Sequence, residues 1–307
     1  MAAAISELSS LETINYKSRI KVFLYAIIAF ILFIMAFFNF YPVGDKLKGI
    51  LRTKLSGSAC NPDFDQLRME WLLPKIIVSD LNLPAGCFNR MGDPIKLSHF
   101  TINFHLINFS PLGIPFRLDT EIEGQPISMY YVLGFGQQMI RLKDQNLVLS
   151  RLQPLMGGQF KIAGSVKLDL NLLMTTDNKI KSLSFKAASK DFQIPSQSLQ
   201  GFTVPHLKLN EFYVEANSDA PPRIDVDKLI IGDPESPMRA NFKGKINLQE
   251  EAVAFSQLDL AGEVAFSESF KQTLPLIDMM FQQFTQKDGF YQIRLGGTLG
   301  APKPFAP

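Results

Sequence analysis

From Trp71 onward, apolar and polar residues alternate along most of the chain, the two-residue period of a strand with one dry face. "SHFTINFHLIN" places Phe100, Ile102, Phe104 and Leu106 on one face, and His99, Thr101, Asn103 and His105 on the other. A second regularity is laid over the first. "FKIAGSVKL" sets Phe160, Ile162, Gly164, Val166 and Leu168 on one face, and "ANFKGKINL" does the same with Ala240, Phe242, Gly244, Ile246 and Leu248. "LDLAGEVAF" repeats the pattern around Gly262, the terminal "YQIRLGGTLGAPKPF" repeats it around Gly297, and "TEIEGQPIS" is a weaker copy around Gly124. Glycine weakens a strand, and its place inside one marks a bend or the close approach of a bulky group. Its recurrence on the dry face predicts a mainly β fold: a large, strongly curved antiparallel sheet, apolar inside and polar outside.

Two stretches leave the strand period. In "SESFKQTLPLIDMMFQQFTQKDG", Phe270, Leu274, Ile277, Phe281 and Phe284 recur at helical intervals, predicting one helix stopped by Gly289. Its apolar stripe must be covered by a partner or by the sheet, which makes these five residues candidates for a partner-facing surface. "NLVLSRLQPLMGG" predicts a shorter helix. The Pro-rich "NSDAPPRID" and "GDPESPM" are loops inside one domain, since strand patterning resumes on either side.

The N-terminal region is different again. The 22 residues of "VFLYAIIAFILFIMAFFNFYPV" carry no charge. At about 1.5 Å per residue they span roughly 33 Å, enough for a bilayer core of about 30 Å. A cleaved signal would end in a small-x-small site, which "FFNFYPVGD" lacks. The expectation is an uncleaved single-pass anchor over residues 22–43, a cytoplasmic tail over 1–21 and an exported β-rich domain over 44–307. Flanking charges do not orient the span: Lys17, Arg19 and Lys21 precede it, while Lys46, Lys48, Arg52 and Lys54 follow it.

Cys60 and Cys87, the only cysteines, both follow the span and have no histidine or further cysteine nearby. As an even pair in an exported domain they predict a disulfide, stabilising by about 3.5 kcal/mol in the loop-entropy model. That places the body in an oxidising compartment, the periplasm if the chain is bacterial. "DKLKGILRTKLSG" sets Leu47, Ile50, Leu51 and Leu55 on one helical face, fit either to lie on headgroups or to pack on the domain.

Charge and chemistry narrow the classes. A net charge of +2 argues against nucleic acid, and 26 Phe against seven Tyr and one Trp points to deep or lipid-like apolar surface. "GFGQQM" at Gly134 resembles the start of a dinucleotide loop, but Met139 stands where the third glycine belongs. His99 and His105 lie six residues apart, about 20 Å along a strand, too far for one ion. No nucleophile elbow, P-loop or zinc pair is present, so no catalytic site, metal or cofactor is expected.

The uncharged N-terminal stretch, the Cys pair, the Gly-centred strands and the ending "DGFYQIRLGGTLGAPKPF" together resemble the GspN family of bacterial type II secretion, in its longer, non-enterobacterial form. The order "FKGKINL…FSQLDLAGEVAFS…DGFYQIRLGGTLGAPKP" is also similar to strand repeats of AsmA-like envelope proteins. The resemblance implies an inner-membrane protein with a periplasmic β-rich domain. It would be accessory to the secretion apparatus, contact its other subunits and carry no catalytic residues. The alternative is an AsmA-like lipid-binding or lipid-transfer module whose Phe-rich inner face holds acyl chains.

Overall fold

A computed structural model describes residues 61–306 except 71–74, 85, 87–93, 106–107, 110–111, 157–160, 178, 200–201 and 250–252, together with 25–30, 32, 33, 36 and 49. The alternating segments form the strands β1 (Gln66–Glu70), β2 (Lys75–Leu83), β3 (Ile95–Phe104), β4 (Asn108–Phe109), β5 (Leu112–Ile122), β6 (Gln125–Gly134) and β7 (Gln137–Val148). They continue with β8 (Ser165–Thr175), β9 (Ile180–Ile194), β10 (Gln197–Leu199), β11 (Phe202–Val204), β12 (Leu207–Ala220) and β13 (Arg223–Ile231). The last are β14 (Met238–Asn247), β15 (Gln257–Phe266), β16 (Gln286–Lys287), β17 (Phe290–Thr298) and β18 (Ala301–Phe305).

All but β10 and β11, which pair with each other, join one antiparallel sheet of 16 strands. Its order follows the chain almost throughout, because each hairpin partner is the nearest strand in sequence and the easiest to close. The path runs from β1 to β17, whose far side carries both β16 and β18.

The expected strong curvature is not found: the sheet is neither curled nor closed. The reason lies in where the glycines sit. Gly124 is not on a strand face at all. With Glu123 it makes the two-residue turn between β5 and β6, both at positive φ (50° and 73°). The others relieve single backbone crossings, described below, and none bends the whole sheet.

The C-terminal helix is also not one element. Ser267 caps α1 (Glu268–Thr273) by accepting a hydrogen bond from the Phe270 N–H, and α2 (Pro275–Phe281) follows after a break at Leu274. Pro275 causes the break, since it lacks an N–H and pushes the residue before it out of helical geometry; Leu274 sits at φ −131°, ψ 70°. Gly289 does not stop a helix. With Asp288 it turns β16 into β17, at φ 82° and 53°. The shorter stretch forms a 3-10 helix, Leu149–Met156.

These few helical pieces cover one end of one sheet face. Leu149, Leu152 and Phe270 pack with Leu147, Val166, Ala187 and Leu209, and Leu274 and Ile277 sit against this cluster. Phe281 and Phe284 close a second cluster over Phe242, Val264, Tyr291 and Ile293. A third, smaller cluster joins Ile95, Leu97 and Ile122.

Residues 25–30, 32, 33 and 36 are helical and exposed. The rest of the expected tail and anchor lies outside the described residues, as do Cys60 and Cys87. Among the described residues no helix is long and apolar enough to cross a membrane.

Candidate functional surface

The registers of successive strands bring the apolar positions into lines that cross the sheet. Met69 pairs with Ile76, Ile76 with Ile102, Ile102 with Leu118 and Leu118 with Met129. Beyond β6 the line resumes: Leu142 pairs with Leu170, then come Phe185, Ala216, Val226, Gly244, Leu260 and Leu295. At about 4.8 Å per strand this line is roughly 58 Å long. Ala216, Val226 and Leu260 are buried, yet Ile102, Leu118, Met129, Leu142, Leu170 and Phe185 are only half-buried. Phe185 packs against the Leu209–Phe270 cluster, whereas over Ile102, Leu118, Met129, Leu142 and Leu170 no second layer is packed among the described residues.

The opposite face carries a buried apolar row, Pro115, Val132 and Met139, near the β6–β7 turn, and from β8 to β17 it is polar and internally neutralised. Asp169, Lys186, Glu215 and Lys228 oppose one another in alternating charge across β8, β9, β12 and β13. Lys186 and Lys228 flank the Tyr213 ring at 5.3 and 5.4 Å, and the Tyr213 hydroxyl donates to Glu215. Asp225, Lys245 and Asp259 continue the alternation, and Arg294 donates to Asp259 at 2.7 Å. That hydrogen bond, ahead of the Arg294 charge, holds the Asp259 carboxyl below the usual carboxylate range. The last group lines a shallow depression of about 630 Å³. Opposite charges facing across strands favour one register over its neighbours. Among the described residues no group of three or more His, Cys, Asp or Glu side chains is placed to hold a metal.

The strand glycines have a shared local cause. A Cβ at Gly262 would stand 2.9 Å from the Phe242 Cα, and nearer still to the Asn241 carbonyl oxygen and the Phe242 ring. Phe242 is the cross-strand partner of Gly262, so the ring lies over the glycine. Gly244 (φ 152°) lies against the Asp259 carbonyl, and Gly164 (φ 107°) against that of Asp191. Gly297 (φ 84°) sits where a Cβ would come 2.9 Å from the Ala301 carbonyl oxygen. The approaching groups therefore belong to adjacent strands and not to an opposing layer.

Asp191 also ties down the Gly164 crossing. Its Oδ1 accepts from the Ser165 N–H at 2.8 Å and from the hydroxyls of Ser165 and Ser189 at 2.9 and 3.1 Å. The Ser165 N–H bond is the leading cause of a carboxyl held below its ordinary range.

The five residues of the expected partner-facing stripe turn inward. Phe270 and Phe284 are buried, while Leu274, Ile277 and Phe281 pack half-buried on the sheet clusters. Met279 and Met280 are exposed on the outer side of α2 instead.

Two features went unread in the sequence. Asp80, Asp144 and Asn210 hold left-handed conformations inside strands, φ 53°, 52° and 57°. Irregular pairing follows at Asp144 and Asn210, where β7 slips against β8 and β12 against β9. The signal was a change of phase: apolar positions Ile140 and Leu142 give way to Leu147, and Leu207 and Leu209 to Phe212 and Val214. The second is Phe135, 87% exposed on a hairpin tip.

Comparison with known proteins finds no matching family model, no matching curated sequence and no matching solved structure.

Proposed function

We propose that this chain is an inner-membrane-anchored, periplasmic accessory component of a type II protein secretion system, working through the uncovered apolar face of its sheet. The ending "DGFYQIRLGGTLGAPKPF" supports the context. The observation that carries the working surface is the half-buried stretch of the line from Met69 to Leu170, which no element among the described residues covers. An apolar surface of that extent calls for an occupant.

The same face favours a second reading, an AsmA-like module that binds or transfers lipid. It is long, continuous and without polar groups along the line, which suits acyl chains laid against it. The test is what leaves the membrane with the protein. Full-length chain is solubilised in mild detergent and purified, and the co-purifying protein and phospholipid are identified. Leu170→Asp, in mid-face, should release secretion-system subunits without lowering the melting temperature by more than a few degrees. Stoichiometric phospholipid lost on the same substitution, with normal protein export in a deletion strain, would put the lipid reading first.

A further inference from the structure

The two ends of the β5–β6–β7 meander differ sharply. At one end the turn is Glu123–Gly124, charged and exposed. At the other the turn is Phe135–Gly136, and Phe135 stands between two glycines with 87% of its surface in solvent. Around it Leu112 (52%), Ile114 (52%) and Leu133 (47%) are exposed as well. Ile114 and Leu133 are cross-strand partners, and the Phe135 N–H donates to the Leu112 carbonyl at 3.3 Å, so the four form one patch on paired backbone. The patch continues inward through Phe116 and Tyr131, also a cross-strand pair, onto the uncovered face.

We propose that the Phe135 tip is a lipid-surface contact, a second attachment of this domain to a bilayer. The tip protrudes, with small glycines on both sides and, among the described residues, no surrounding wall. A protein partner would have to supply a matching pocket, whereas acyl chains adapt to a protruding ring. Leu133 pairs with Gln138, Gly134 with Gly113, and the Phe135 N–H is bonded to Leu112, which keeps the number of polar groups carried into the interface small. The inference rests on the expectation of an anchor at residues 22–43. From that anchor, residues 44–62, up to the Asp63–Asn82 bridge, can reach roughly 45 Å with the expected helical turn over 47–55 at about 1.5 Å per residue and the rest at about 3.3 Å, against roughly 40 Å for the 12-residue β7 at about 3.4 Å each. The tether is therefore long enough for this end of the sheet to meet the membrane that holds the anchor.

The test uses full-length protein in phosphatidylethanolamine/phosphatidylglycerol vesicles with bromine on the acyl chains. The single tryptophan is removed by Trp71→Phe, and one is introduced by Phe135→Trp or, at the opposite end between β13 and β14, by Glu235→Trp. The expected result is at least twofold quenching and a blue-shifted emission for the Phe135→Trp protein, with neither for the Glu235→Trp protein. Equal quenching of the two, or none, overturns the proposal. A blue shift without quenching also overturns it, because the tip would then be packed against protein. Alkaline carbonate extraction tests the anchor separately: a chain released by carbonate but still quenched at the tip would refute the anchor and leave the lipid contact standing.

Discussion

Replacing Gly262 by alanine adds one methyl group at a place with no room for it. The position does not have a left-handed φ, so an alanine there is not opposed by backbone strain. What opposes it is contact: the new carbon would stand 2.9 Å from the Phe242 Cα and closer to the Asn241 carbonyl oxygen and the Phe242 ring. Two of these three atoms are backbone and cannot rotate away, so β14 and β15 would have to separate locally. Overpacking a tight site costs about 1–3 kcal/mol, and the backbone contacts place this one near 3. For a domain of this size a loss of about 3 kcal/mol lowers the melting temperature by roughly 6–12 °C.

Gly289→Ala is the comparison. Its φ of 82° imposes strain, but nothing lies within 4 Å of the added carbon. The expected cost is only the left-handed penalty of about 1–2 kcal/mol. Thermal and urea unfolding of both variants by far-UV circular dichroism would rank them. If Gly262→Ala melts at or above Gly289→Ala, the close-approach account of the strand glycines is wrong.

Three further outcomes are expected. Asp191→Asn should flatten the acid side of the stability profile. The carboxylate is held below its ordinary pKa when folded, so it contributes stability above its unfolded value near 4 and loses it as the pH falls through the lower folded value, which urea midpoints measured against pH would show. Phe270→Ala should cost about 3–5 kcal/mol by emptying the cluster at the end of the sheet, whereas alanine at the exposed Met279 should stay within about 0.5 kcal/mol, both read by thermal melting. Cys60 and Cys87 should resist alkylation in native membranes until reduced, and mass spectrometry of the labelled chain would reveal free thiols if the pairing is absent.

The alternation of apolar and polar residues determined the fold class, and even which residues share a face. Phe242, Gly244 and Ile246 stand in line on β14 as the pattern predicts, because side chains on a strand alternate whatever the strand packs against. What each glycine does was decided only by the tertiary structure. Gly164, Gly244, Gly262 and Gly297 share a sequence pattern with Gly124, yet four relieve contacts with an adjacent strand or turn and Gly124 makes a turn. The difference depends on which backbone passes nearby, and that is set by register, not by neighbours in the chain.

The same holds for the stripe from Phe270 to Phe284. Its spacing established that it was apolar and had to be covered; that the cover is its own sheet depended on where β15 ends. Pro275 was visible in the sequence as a helix breaker, but Gly289 could equally stop a helix or turn a hairpin until β16 and β17 paired around it. Shape was the least legible property. Whether a sheet of this size closes or stays open follows from the accumulated twist and bulges of many strands, a sum over long-range pairings that no local window of sequence contains.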